Sequence, residues 1–242
     1  MNAERKRMPI VPNGDLECVW MWAGIVTYKL CDCNYECEHC SFDRAMKECD
    51  SVPFHGEVGG YKLCRTLFYH SSHTWAGVEE GGHLRIGLDD FGQNILGPIQ
   101  RISLPKLGAR IMEGSIQVRG RGIDVPLCPP AEGYIVEVNK QLLTFPTLMN
   151  SYPYDKGWVV LIRPVHLLKS LRQLFYGYQA EEWYRREVSR LGSAIAQVTH
   201  LPPSRVGPTM QDGGIPILQI LDAIEPNEAS KIIRQFFIRN CN

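Results

Sequence analysis

The chain has 242 residues, 44% hydrophobic and 21% charged, the composition of an ordinary globular protein of one large or two small domains. Its 26 Lys and Arg balance 26 Asp and Glu, so no general electrostatic pull toward nucleic acid or an anionic membrane is expected. No stretch approaches the run of about 20 apolar residues that a membrane helix needs, and Met1 to Asn13 lacks the apolar core of a signal peptide, so the cytoplasm is the expected compartment.

Residues 14–66 form the first section, rich in Cys, aromatics and Gly. Of nine cysteines in the chain, Cys18, Cys31, Cys33, Cys37, Cys40 and Cys49 fall in its first 50 residues. Without a signal sequence, such a cluster points to metal or redox chemistry before it points to disulfides. Cys37-x-x-Cys40 has the spacing at which two thiolates reach one ion with bonds of about 2.3 Å. Cys18 and Cys31 complete a four-thiolate set. Cys33 competes with Cys31 for one place, because a single intervening residue makes joint ligation awkward, and is expected outside the site. Structural zinc is the first choice of ion. An iron–sulfur cluster and a metal-free Cys-x-x-Cys thiol–disulfide switch stay open. His39 and His55 are spare candidates, while Cys49, Cys64, Cys128 and Cys241 read as small packing residues. Trp20 to Val26 reads as a buried strand. Ser41 to Cys49 reads as one short helix, and Gly56 to Gly60 as a linker.

Residues 69–163 form the second section, whose apolar runs are short and separated by Gly, Pro and Asn: 84–88, 99–104, 115–118, 134–138 and 158–162. Many short strands with Gly-rich turns imply a small barrel or sandwich. Residues 165–242 are helical in pattern. Leu167, Leu171, Leu174 and Phe175 share one face, a second helix starts near Gln179, and a last one starts near Asn227.

The middle section carries motifs in order. Tyr69-His-Ser-Ser-His73-Thr-Trp75 opens it, and Leu84-Arg-Ile-Gly-Leu-Asp-Asp-Phe-Gly-Gln-Asn-Ile-Leu-Gly97 follows. After these come Ile102-Ser-Leu-Pro-Lys-Leu-Gly108 and Pro130-Ala-Glu-Gly-Tyr-Ile-Val-Glu-Val-Asn139. Pro146-Thr-Leu-Met-Asn-Ser-Tyr-Pro-Tyr-Asp-Lys-Gly-Trp158 closes the section. Over about 95 residues this series resembles the glycine cleavage H-protein family, which carries lipoate on a lysine. The resemblance implies a mainly β fold with some α: a flattened antiparallel β-sandwich (a barrel-sandwich hybrid of the lipoyl-domain type) with the lysine at a hairpin tip. It also implies that His73 and Trp75 are packing residues. Asp89-Asp90 reads as the cap of the short helix that follows.

Counting back from Gly133 by the family's interval puts Gly122 at the lipoyl-lysine position. No lysine stands between Lys106 and Lys140. Lipoylation forms an amide and needs a primary amine, and a guanidinium with its pKa above about 12 cannot replace it, so Arg119 and Arg121 are not substitutes and no lipoate is expected. The two arginines read either as part of a solvated tip or as a docking pair for carboxylate or phosphate. The resulting expectation is a non-enzymatic, metal-stapled adaptor or accessory subunit with protein partners in a redox or one-carbon complex. The alternative is a redox protein in which the cysteine cluster holds an iron–sulfur centre or cycles as a thiol–disulfide switch, and the sandwich docks it to an oxidoreductase.

Overall fold

The computed structural model describes residues 16–23, 29–48, 55–200, 206–207, 215–216 and 221–237. Two antiparallel sheets make the centre. Strands β3 (Phe68–Tyr69), β4 (Thr74–Val78), β5 (Leu84–Leu88), β7 (Arg110–Ile111), β10 (Gly133–Val138) and β11 (Trp158–Pro164) form a six-stranded sheet, in the order β3-β4-β5-β11-β10-β7. Strands β6 (Ile99–Ser103), β8 (Ile116–Gly120) and β9 (Ile123–Leu127) form the second sheet, in the order β6-β8-β9. Alternation sets the faces: Ile116, Val118 and Gly120 of β8 are buried while Gln117 and Arg119 are half-buried. Leu84, Ile86 and Leu88 turn inward from β5 in the same way. The two inner faces meet in one core with Ile99, Val125, Leu127, Val160 and Ile162. The antiparallel sandwich expected from the motifs is the observed fold.

The motif residues act as tie-bars. Asp89 accepts the Gly92 N–H at 2.6 Å and caps α3 (Asp90–Leu96). The Trp75 indole N–H lies 3.1 Å from the Leu88 carbonyl and 3.0 Å from that of Pro153. Asn139 donates to the carbonyls of Lys156 and Trp158, and the Asn150 oxygen accepts the Ile99 N–H. Trp158 opens β11, the last strand of the large sheet.

Helices cover the open side. The 22-residue α7 (Tyr178–Thr199) and α8 (Pro226–Phe237) bury Trp183, Tyr184, Leu191, Ile232, Ile233, Phe236 and Phe237. The final helix opens at Pro226 instead of being capped by Asn227, as suits a residue that has no N–H to leave unpaired in the first turn. Among the described residues no helix is long and apolar enough to cross a membrane.

Two readings of the first section change. Val19–Trp22 is a helical turn, α1, and not a strand. The Cys18 carbonyl takes the N–H groups of Met21 and Trp22, and the chain then returns so that Leu30 bridges Glu17. Residues 24–28 lie outside the described set. Gly59 and Gly60, at φ 57° and 83°, turn the hairpin of β1 (His55–Val58) and β2 (Tyr61–Cys64), so 56–60 is no linker. The short helix α2 runs Ser41–Glu48 as read. Cys49 and Cys241 lie outside the described residues. Cys64 is buried and in no disulfide, with its sulfur 3.4 Å from the Thr66 hydroxyl, whereas Cys128 is disulfide-bonded rather than a simple packing residue.

Candidate functional site: a thiol cluster and a hairpin tip

Cys18, at the N-terminus of α1, and Cys31 lie on the two segments joined by the Glu17–Leu30 bridge. Their backbones are tied by Cys31 N–H to Leu16 O at 2.6 Å and Cys18 N–H to Lys29 O at 2.9 Å. The chain then folds back on itself, because Asn34 and Tyr35 adopt left-handed backbone with φ of 52° and 66°. A 3-10 turn at Cys37–His39 carries Cys40 to the start of α2, with Cys40 N–H on the Cys37 carbonyl at 3.1 Å.

Cys18, Cys31, Cys33, Cys37 and Cys40 all line one small cavity, and none is in a disulfide. The cavity holds about 10 Å³, room for a single water-sized body. The Tyr35 N–H donates to Cys31 Sγ at 3.2 Å. Asp43, at the start of α2, accepts the Trp20 indole N–H at 2.9 Å and so fastens α2 to α1 beside the thiols. Burial raises the Cys18 thiol above its ordinary range, against the N–H groups of Trp20 and Met21, and the Cys31 and Cys40 charges raise it further. Cys33 is pushed up to about 11, first by its hydrogen bond with Cys40. Lys29 is the nearby cation, 3.1 Å from Asp32.

The sulfurs do not converge as expected. Among the described residues, the donor atoms found within 4.8 Å of one another belong to Asp32, Cys33 and Cys40. Cys18, Cys31 and Cys37 share the cavity but belong to no group of three or more donors that close. Cys33, expected outside, stands beside Cys40 because the left-handed Asn34-Tyr35 pair reverses the chain between them. Spacing alone does not reveal that reversal, although an Asn within a cysteine loop is a residue that tolerates it. His39 is exposed and does not line the cavity. An all-thiolate donor set suits a thiophilic ion such as zinc, and a net negative tetrathiolate site would be partly offset by Lys29.

The second feature is the β8–β9 hairpin. Gly120 pairs with Ile123, so Arg121 and Gly122 make the whole turn, at φ 47° and 75°. Two consecutive left-handed residues are the signature of a type I′ hairpin turn. Gly122 is exposed, and a Cβ added there would meet nothing within 4 Å. The tip is as expected, but its arginines are not a free pair. Arg119 contacts Asp124 across the hairpin at 2.5 Å. Arg121 turns inward along Gly97, donates from Nε to the Ile95 carbonyl at 3.1 Å, and pairs with Asp222. Its side chain is only 14% exposed, so a docking role for Arg121 would require breaking those contacts.

His73 is also more than a packing residue. It is fully buried, stacked on Phe91 at 4.5 Å, and its Nδ1 lies 3.0 Å from Asp89. Nε2 faces Glu187 of α7 at 3.5 Å, and Glu187 in turn pairs with Arg190 at 2.7 Å. Burial pulls the imidazole pKa down, but Asp89 and Glu187 together outweigh it and leave the group above its ordinary value.

A family model described as "Glycine cleavage H-protein" matches residues 67–187. A "Probable glycine cleavage system H protein" from Thermococcus kodakarensis is 30% identical over 131 residues, covering 53% of this chain and 97% of that protein. The glycine cleavage system H protein of Anoxybacillus flavithermus is 37% identical over 105 residues, 43% of this chain and 82% of that one. Among solved structures, a glycine cleavage system H protein from Mycobacterium marinum matches with a TM-score of 0.45 at 24% identity, over 52% of this chain and 98% of that chain.

Proposed function

Because the chain belongs to the glycine cleavage H-protein family, we propose that it is a non-lipoylated member acting as a non-catalytic adaptor or accessory subunit. One observation supports this reading: Gly122, where the family's interval would put the lipoyl lysine, stands at an exposed tip, with no lysine between Lys106 and Lys140. A carrier without a primary amine at its tip has no atom on which to build the lipoyl amide. What is left is a rigid sandwich that presents surfaces, Arg119 at the hairpin among them. The expected partners are proteins of a one-carbon or redox complex, reached by the same scaffold without the swinging cargo.

In this reading the N-terminal section, roughly 14–66, is a module stapled by an ion, and residues 165–242 are a helical extension that adds interface. Cys18, Cys37 and Cys40 with Cys31 would hold zinc. The small cavity between the thiols favours one ion over a multi-iron cluster. The ion would supply cross-linking and no chemistry, since four thiolates leave no open coordination position.

The test is direct. Incubation of the full chain with lipoate, ATP and a lipoate ligase should leave its intact mass unchanged, while an unlipoylated H protein that has the lysine is modified in the same reaction. One lipoyl group gained anywhere on the hairpin would overturn the reading.

A further inference from the structure

The outer face of the small sheet carries a row of charges across its three strands. Arg101 of β6 lies opposite Arg119 of β8, and Arg119 lies opposite Asp124 of β9. One carboxylate thus serves two guanidiniums. Arg119 is 2.5 Å from it, whereas Arg101 is 3.4 Å away with 69% of its side chain exposed. Like charges opposite each other on neighbouring strands cost stability, and the Arg119–Asp124 pair is complete without Arg101. The fold therefore gains little from this second cation. Arg101 and Asp124 also help to line an open groove of about 720 Å³ that extends to the helical turn Gln141–Thr144. Lys140, exposed, and Leu143, 61% exposed, line it from that turn, with the half-buried Leu104 and Val138 beside them. Asp124 is the only acid among the described residues of its lining.

We infer that this groove docks an acidic segment of a partner protein that also carries a bulky apolar side chain. One carboxylate of the segment takes the Arg101 guanidinium, which can offer two N–H groups to it, and another pairs with Lys140. The apolar side chain covers Leu143 and reaches Leu104 and Val138, which removes exposed apolar surface from water. Charge selects this occupant, since Arg101, Arg119 and Lys140 together face one carboxylate. A nucleic acid would meet the same cations, but no aromatic ring lines the groove for a base to stack on, and a phosphate chain has no use for Leu143. The inference rests on the adaptor reading only in taking the partner to be a protein. It moves docking from Arg121, which is tied to Ile95 and Asp222, to Arg101.

The experiment pans the full chain against a displayed library of short random peptides. Enriched peptides are then labelled and titrated by fluorescence anisotropy against wild type, R101Q/K140Q, L143A and K231Q, the last a control at an exposed lysine on α8. The enriched peptides should combine Asp or Glu with Leu or Phe, and added salt should weaken them. R101Q/K140Q should bind them about tenfold more weakly and L143A several-fold more weakly, while K231Q binds as wild type does. The thermal midpoint of R101Q should equal or exceed that of wild type, because the variant removes an opposed pair of like charges. A lowered midpoint would make Arg101 a structural residue and overturn the inference. So would a panning that enriches nothing, peptides without acids, or equal binding to R101Q/K140Q. Equal weakening by K231Q would show general charge attraction and no groove. If a single-stranded oligonucleotide binds wild type more tightly than every selected peptide and R101Q/K140Q loses it, the surface takes nucleic acid and the inference falls. Lipoylation of the hairpin would sink the adaptor reading and leave these titrations unchanged, so the two can fail separately.

Discussion

Trp75 and Trp20 are both buried tryptophans with a bonded indole N–H, yet they stand in regions built on different principles. Trp75 is 1% exposed, donates to two backbone carbonyls and lies so close to Gly87 that an added Cβ there would come 2.5 Å from its ring. It belongs to a core of apolar strand residues that two sheets enclose between them. Trp20 is held by the side chain of Asp43 and leans edge-on against Tyr176, at 5.6 Å between ring centroids. Around it, the described residues between 16 and 48 contribute only Cys18, Val19 and Cys40 as further buried apolar groups. A section that small cannot enclose a core of its own, and it depends on its neighbour and on whatever its thiols hold. Stability in the sandwich therefore comes from apolar area, and order in the first section from a few specific contacts.

The comparison can be broken most severely at Trp75. Trp75→Ala should cost about 3–5 kcal/mol, since it empties the centre of the sandwich and orphans two carbonyls, and urea unfolding should show the main transition displaced. A normal midpoint would mean that the core is not organised around this ring. Next comes His73, which joins the sandwich to α7. With its folded pKa above the ordinary 6.5, His73 contributes stability that is full below that value and is lost as pH rises through the folded pKa. His73→Gln should therefore cost about 3 kcal/mol at pH 6, where two buried carboxylates lose their counter-charge, and less at alkaline pH. Equal losses in unfolding curves at both pH values would refute a charged His73.

Smaller effects sharpen the contrast. Gly122→Ala should cost about 1 kcal/mol because its φ of 75° strains any β-carbon, although the space around it is open. Gly122→Asn should cost less, since Asn tolerates that backbone. Equal thermal shifts for the two would argue against the I′ geometry. Smallest of all should be the effect of Cys37→Ser on the sandwich, within about 0.5 kcal/mol in its main transition. Limited proteolysis should nevertheless speed up within residues 29–48. A main transition lost together with the first section would show that the two regions are one cooperative unit.

Much of the sandwich was legible because strand periodicity is local. Residues 84–88 were read with both ends as found, and 99–104, 115–118, 134–138 and 158–162 fall on observed strands. Strand β9 escaped notice: Ile123-Asp-Val-Pro-Leu127 carries a proline and an acid within five residues, and its strand state follows from pairing with β8. In the thiol cluster, residue types and the Cys-x-x-Cys spacing were readable. The place of Cys33 was not, because it turns on two left-handed residues between it and Cys37.

By itself, the order of residues determines that the hairpin tip has no amine. That the turn reads Arg121-Gly122, with no lysine between Lys106 and Lys140, is a covalent fact. It also determines which faces of the strands go inward, since alternation of apolar residues leaves one low-energy answer. Only the tertiary structure decided what the tip arginines do. Arg121 is bonded to Ile95 and Asp222, 26 and 101 positions away, and Glu187 reaches His73 across 114. A long polar side chain near the surface takes whichever partner the packed chain brings within reach, and no local pattern encodes a partner that far along the chain.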